Sequence, residues 1–219
     1  MPPRYARLGI RALAFDFDGT LAVPTLDFAV MRQRALEAVA RHVPPPAGPE
    51  LPTMELLALV GTATEAARAA RAAALLAVRE VEVEAAAQSA LFPFVRPMIL
   101  RLKALGLGLA VITRNCPEAV MTVFPDIRDH CLLLTRDDVP RIKPHPDHLL
   151  AALEKLNAPP GNSLMTGDHP MDVETGKRAG SLTGAVASGE YSLDGLAAAK
   201  PDFLAPDGET LLRELEILP

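Results

Sequence analysis

Two carboxylates one residue apart, Asp16 and Asp18, close the apolar run Ala12 to Phe15, and Gly19 and Thr20 follow at once. If the run is a strand, residues two apart point to the same side, which sets two like charges a few ångströms from each other. Such a pair is costly unless a cation lies between them or one carboxyl holds a proton. The pattern points to a divalent metal. Gly19 relieves the backbone where the chain turns away, and Thr20 can hydrogen-bond the loop. An ordinary Asx-turn also places Asp and Gly after a strand; three later segments count against it.

Those carboxylates need a scaffold, and the chain supplies one. The run before them has no polar side, as expected of a strand covered by helices on both faces of a parallel sheet. Strand ends on open α/β sheets are where ligands bind. Further on, Leu107 to Ile112 reads as a second buried strand ending in Thr113-Arg114-Asn115. Cys131 to Leu134 reads as a third, with Lys143-Pro144 in the loop beyond it. Ser163 to Met165 reads as a fourth, running into Thr166-Gly167-Asp168-His169-Pro170-Met171-Asp172. Helices are predicted over Pro97 to Leu105, from Pro117, over Pro146 to Leu156 and over Val173 to Ala179, with Gly106 and Gly180 at two C-termini. Leu182 to Val186, Phe203-Leu204 and Gly208 to Leu218 complete the series. Repeated strand–helix alternation predicts an α/β fold with a parallel, doubly wound sheet.

One block breaks the alternation. From Leu26 to His42 the apolar spacing predicts an amphipathic helix. Val43 to Pro49, with four prolines, predicts a rigid exposed loop. Thr53 to Ala90 is alanine-rich and predicts two helices parted at Gly61. The block reads as an inserted helical domain, although an Ala/Glu/Arg stretch alone also fits an ordinary helical hairpin. Residues 1–9 read as a poorly ordered lead-in.

Taken together, Asp16-Phe-Asp18-Gly19-Thr20, Thr113, Lys143-Pro144 and Gly167-Asp168 with Asp172 resemble, in order, the four motifs of the haloacid dehalogenase superfamily. The helical block occupies the place where the phosphoglycolate-phosphatase-like branch carries its cap. The resemblance implies a Rossmann-like α/β core over residues 1–23 and 92–219, with an α-helical cap over 24–91. It makes Asp16 the nucleophile that forms an aspartyl-phosphate, a role a carboxylate can fill. Asp18 resembles the general acid/base, which needs a carboxyl able to hold a proton. An acidic residue at this second position favours phosphoryl transfer over dehalogenation. Thr113 matches the hydroxyl donor to a phosphate oxygen. Lys143 matches the lysine that pairs with Asp16 and the transferred group, where its charge favours the transition state. Lysine is scarce, five in the chain and none before Lys103, so Lys143 is not a default surface residue.

By the same resemblance Asp16, the backbone carbonyl of Asp18, Asp168 and Asp172 hold a metal. An oxygen-rich, partly hydrated site suits Mg2+, which prefers octahedral ligands at about 2.0–2.1 Å. Asp172 also suits the start of a helix, complementing its dipole. Gly19, Thr20, Arg114 and Asn115 are the candidate substrate contacts. His169 reads as structural or cap-facing, His145 and His148 flank the lysine loop without making a zinc set, and Cys116 reads as a buried small residue.

Composition narrows the partners. A net charge of −5 and the lack of a basic block argue against nucleic acid, and no apolar run approaches a membrane span of roughly 18 residues. Two cysteines make neither a disulfide framework nor a zinc pair, and the first residues lack a signal-peptide core. We expect a cytoplasmic protein, monomer or homodimer, acting on a small phosphorylated metabolite. The helical block holds no lysine for a Schiff base, which argues against phosphonatase chemistry, and its one histidine, His42, argues against a mutase. Arginines 32, 34, 68, 71 and 79 could meet a substrate carboxylate or second phosphate. The rival readings are a phosphomutase and a non-catalytic phospho-ligand-binding module.

Overall fold

The computed structural model describes residues 1–46 and 51–218. Six strands form the centre: β1 (Ala12–Phe15), β2 (Gly108–Ile112), β3 (Leu132–Leu134), β4 (Ser163–Gly167), β5 (Leu182–Val186) and β6 (Phe203–Ala205). All pair in parallel, in the order β3-β2-β1-β4-β5-β6. The order reverses beside β1, and that crevice at the carboxyl ends is the ligand position of a doubly wound sheet. The predicted α/β doubly wound sheet is the observed one.

Period-two alternation sends successive side chains to opposite covered faces, which is why the central strand β1 is apolar throughout. Leu13, Phe15, Leu109, Val111 and Leu164 enter one core, shared with the helices Val95–Ala104 and Gly208–Glu214. Their neighbours Ala12, Ala14, Ala110, Ile112 and Met165 enter the opposite core, shared with helix Asp147–Lys155. Alanine at three of those positions lets the helix approach closely. Burying each larger side chain contributes roughly 1.5–3 kcal/mol before entropy is counted.

Several elements differ from the pattern reading. Residues 1–9 are not a loose lead-in. A turn of helix, Arg4–Arg7, is tied to the far end of the chain, with Tyr5 N–H donating to the Leu215 carbonyl at 3.0 Å. A lead-in with no local periodicity gains its order from a segment some 210 residues away. Strand β4 runs two residues past Met165, because Asp16 N–H donates to the Thr166 carbonyl and extends the ladder. The following helix begins at Pro170 rather than Val173: proline suits its first turn, and His169 and Asp172 cap it reciprocally. Two short helices, Ile127–His130 and Leu193–Ala197, are too brief for a periodic signal.

The chain divides into two compact units, Met1–Pro24 with Ser89–Pro219, and Thr25–Gln88. The second is all-helical: Phe28–Ala40, Thr53–Leu59 and Glu65–Ala86. Asp27 caps its first helix, accepting from Ala29 and Val30 N–H at 2.9 and 3.0 Å, so that helix starts later than Leu26. Its core is Met31, Ala35, Val39 and Leu57 against Ala70, Ala74, Val78 and Val81, a stripe at three- and four-residue spacing. Of the proline-rich stretch expected as an exposed loop, residues 47–49 lie outside the described residues.

Candidate active site

Each candidate residue leaves the carboxyl end of a strand or the loop beyond it. Asp16 follows β1, Thr113 follows β2, Lys143 lies in the loop after β3, and Asp168 follows β4. Asp172 sits in the first turn of helix Pro170–Ala179 and is fully buried. Pairing of β1 with both β2 and β4 converts residues up to 156 positions apart in the chain into neighbours.

At the centre, the Lys143 ammonium donates to Asp16 Oδ1 at 2.5 Å and to Asp172 Oδ1 at 2.7 Å. Lys143 is 1% exposed. Burial works against its charge, but Asp16 and Asp172 outweigh it and hold its pKa above the ordinary lysine value. Asp16, Asp168 and Asp172 each present an oxygen within 4.8 Å of the others. Burial, then the charges of Asp16 and Asp172, push the Asp168 carboxyl up to about 8. Burial also raises Asp172, to about 6, against the pull of Lys143. One ammonium does not neutralise three carboxylates. A hard divalent cation takes such an oxygen set, so the donors present fit magnesium.

Asp18 lies just past the end of β1. Its side chain lies outside the three-carboxylate group, and its Oδ2 accepts from Asn115 Nδ2 at 2.8 Å. A tight turn follows the strand end, in which Leu21 and Ala22 N–H donate to the Phe17 carbonyl and Gly19 N–H to Ala22. Gly19 has φ +73°, and a Cβ there would lie 2.3 Å from Asp168 Oδ2. Gly167 is equally confined, since a Cβ would stand 2.1 Å from Asp172 Oδ2.

The remaining candidates divide. Thr113 is buried, and its Oγ1 accepts from Asn115 N–H at 3.1 Å, which leaves its own hydrogen free to donate. Thr20 directs its hydroxyl to Asp168 Oδ1 at 3.2 Å. That bond ties the Thr20 side chain to the acidic group. Arg114 stands at Met171, Nη1 to Sδ 3.5 Å, and its carbonyl accepts from Arg136 at 3.1 Å. His169 Nδ1 accepts from Met171 N–H, and its ring meets Tyr191 edge-on at 4.6 Å. Cys116 is buried ahead of helix Pro117–Val123.

Two further residues pack into the site: His148, which the sequence placed only beside the lysine loop, and Ser188, which it did not single out. His148 is wholly buried, accepting from Lys143 N–H at 3.4 Å and bonded through Nε2 to the Leu134 carbonyl at 3.1 Å. Burial, then the Lys143 charge, lowers its pKa to about 4, so the ring is neutral. Ser188 Oγ donates to the Gly19 carbonyl at 2.6 Å, bringing the turn after β5 into the site. Its position just beyond the predicted strand Leu182–Val186 was the available signal. A separate cleft of about 600 Å3, lined by Arg11, Gly108 and Leu132, opens at the amino ends of the strands, away from this chemistry.

Comparison with known proteins places this arrangement. Residues 10–180 match the family model of the haloacid dehalogenase-like hydrolases. Pyrophosphatase PpaX from Bacillus cereus is 34% identical over 122 residues, 52% of this chain and 54% of that protein. The chain thus matches about half the length of such curated relatives. A solved hydrolase from Pseudomonas syringae superposes with a TM-score of 0.70 at 22% identity, covering 94% of this chain and 98% of the other. A predicted phosphoglycolate phosphatase from Haemophilus somnus gives 0.65 at 21% identity over 94% and 97%. At such identities the structural likeness speaks for the fold, and the matched family spans more than three quarters of the chain, from β1 to the helix after β4. A family model that matches this much of the chain decides its membership: this chain belongs to the haloacid dehalogenase-like hydrolases.

Proposed function

We propose that the protein is a magnesium-dependent phosphatase of small phosphorylated metabolites, working through an aspartyl-phosphate on Asp16. The observation that carries this reading is the Lys143 ammonium held between Asp16 and Asp172 at 2.5 and 2.7 Å. A buried cation in contact with a strand-end carboxylate both orients that carboxylate and offsets the charge of an arriving phosphoryl group.

In the first half-reaction an Asp16 oxygen forms a bond to phosphorus while the bond from phosphorus to the leaving oxygen breaks. Asp18 gives its proton to that oxygen. In the second half, water attacks the phosphorus of the aspartyl-phosphate and passes a proton back to Asp18, which frees phosphate and restores Asp16. Asn115 Nδ2 orients Asp18 for both transfers. Thr113 offers its free hydroxyl hydrogen to a phosphoryl oxygen. Asp16, Asp168, Asp172 and the Asp18 carbonyl would hold magnesium, which supplies charge neutralisation and orients the phosphate.

Phosphoglycolate and related monoesters lead the substrate list on the likeness of the helical unit to that branch. A relative named for pyrophosphate hydrolysis supports including pyrophosphate. The test is phosphate release from a panel of both kinds, with magnesium present and Asp16→Asn as the blank. We expect release by the wild type alone. Equal release by the variant overturns Asp16 as nucleophile, and silence of the wild type across the panel overturns the phosphatase reading.

A further inference from the structure

The Asp168 carboxylate is packed tightly against two glycines. A Cβ built on Gly19 would lie 2.3 Å from its Oδ2, and one built on Gly189 would lie 1.8 Å from the same oxygen, 2.6 Å from Cγ and 3.0 Å from Cβ. Thr20 holds the other oxygen, Oδ1, at 3.2 Å. Gly189 belongs to the turn after β5, and Ser188 beside it donates to the Gly19 carbonyl at 2.6 Å. The turn and the nucleophile loop are thus joined to each other, with one carboxylate caught between them. Gly189 is not among the glycines of positive φ, and the three atoms nearest to a methyl there all belong to Asp168.

We propose that the Ser188–Gly189 turn is a positioning element of the acidic centre, walling Asp168 together with Gly19 and setting how tightly the centre holds a divalent cation. The inference rests on the reading of Asp168 as a metal ligand. A methyl at Gly189 reaches past the carboxylate oxygen to Cγ and Cβ, so turning the carboxylate cannot relieve it. Either the Asp168 side chain swings out or the turn lifts and breaks the Ser188 bond. Both displace a ligand while leaving its chemistry intact. Removing the Ser188 hydroxyl loosens the same wall without adding an atom.

The experiment is calorimetric titration of the full chain with manganese chloride alone, which reads cation binding without turnover. Partners that orient a metal ligand are worth about 10- to 100-fold in affinity, and we expect Gly189→Ala to fall in that range. Ser188→Ala should fall in the same direction by less. Gly161→Ala adds the same methyl into open space and should bind like the wild type. Wild-type affinity in Gly189→Ala, with binding lost in Asp168→Asn, overturns this inference and leaves the metal-site reading standing. Should Gly189→Ala not fold, wild-type affinity in Ser188→Ala overturns it equally. A wild type that takes up no manganese overturns the reading of Asp168 as a ligand, and this inference with it.

Discussion

Asn115 donates its side-chain amide to Asp18, Nδ2 to Oδ2 2.8 Å, across 97 residues of chain. The bond joins the end of β2 to the turn after β1 and holds the Asp18 carboxylate in place. In the proposed mechanism Asp18 is the general acid/base; such assistance is worth about 10²–10⁴-fold, and part of it depends on where Asp18 points. Asn115→Ala should therefore lower kcat by about tenfold or more with KM little changed. Asn115→Asp, which sets a second negative charge against Asp18, should lose more. A rise in KM at constant kcat would instead make Asn115 a substrate contact.

Lys143 is the cation that lets Asp16 and Asp172 share one buried space. Breaking a buried ion pair from one side costs about 3–5 kcal/mol. Lys143→Met should destabilise the metal-free protein by that order in urea unfolding and abolish phosphate release. Arginine should not substitute, because its planar fork cannot take the position of a compact ammonium. Full activity in Lys143→Arg would refute the geometry.

The carboxyl groups of Asp168 and Asp172 are raised to about 8 and about 6. Unfolded, both titrate near about 3.9. The folded, metal-free protein therefore binds more protons than the unfolded chain between those limits, and its stability falls as pH rises. With EDTA present, thermal denaturation from pH 6.5 to 8 should show a falling Tm. Magnesium should cancel the trend, since a cation among these oxygens favours their ionised form. A Tm independent of pH in EDTA would contradict the packing of the three aspartates.

His148 acts in the opposite sense. Its folded pKa of about 4 lies below the unfolded value of about 6.5. The stability it confers is complete above the unfolded value and lost as pH falls toward 4. His148→Leu should flatten that acid limb. It should also destabilise by roughly 1–3 kcal/mol for the buried Lys143 N–H left unpaired, while the Leu134 carbonyl keeps the Thr113 N–H. Denaturant unfolding of both proteins at pH 7 and pH 5 checks the two effects together.

What this protein's sequence determined alone is the part governed by short-range rules. Apolar runs of four and six residues, Ala12 to Phe15 and Leu107 to Ile112, with carboxylates or a threonine beyond them, marked β1 and β2, because a strand buried on both faces has no polar side to hide; the shorter Ser163 to Met165 ahead of Gly167-Asp168 marked β4. The four motifs in order named the family, and alanines at helical spacing marked the second unit. The tertiary structure alone decided which side chains meet. Asp16, Asp168 and Asp172 converge because β1 pairs with β4, a choice no local period encodes. Asp18 turns to Asn115 because its loop closes on Phe17, and the Ser188–Gly189 turn enters because β5 lies beside β4. The lead-in becomes helical only against Leu215 and Glu216. Propensity and patterning act over a few residues; the site is an agreement among strand ends far apart in the chain, and only the packed sheet brings them within hydrogen-bonding distance.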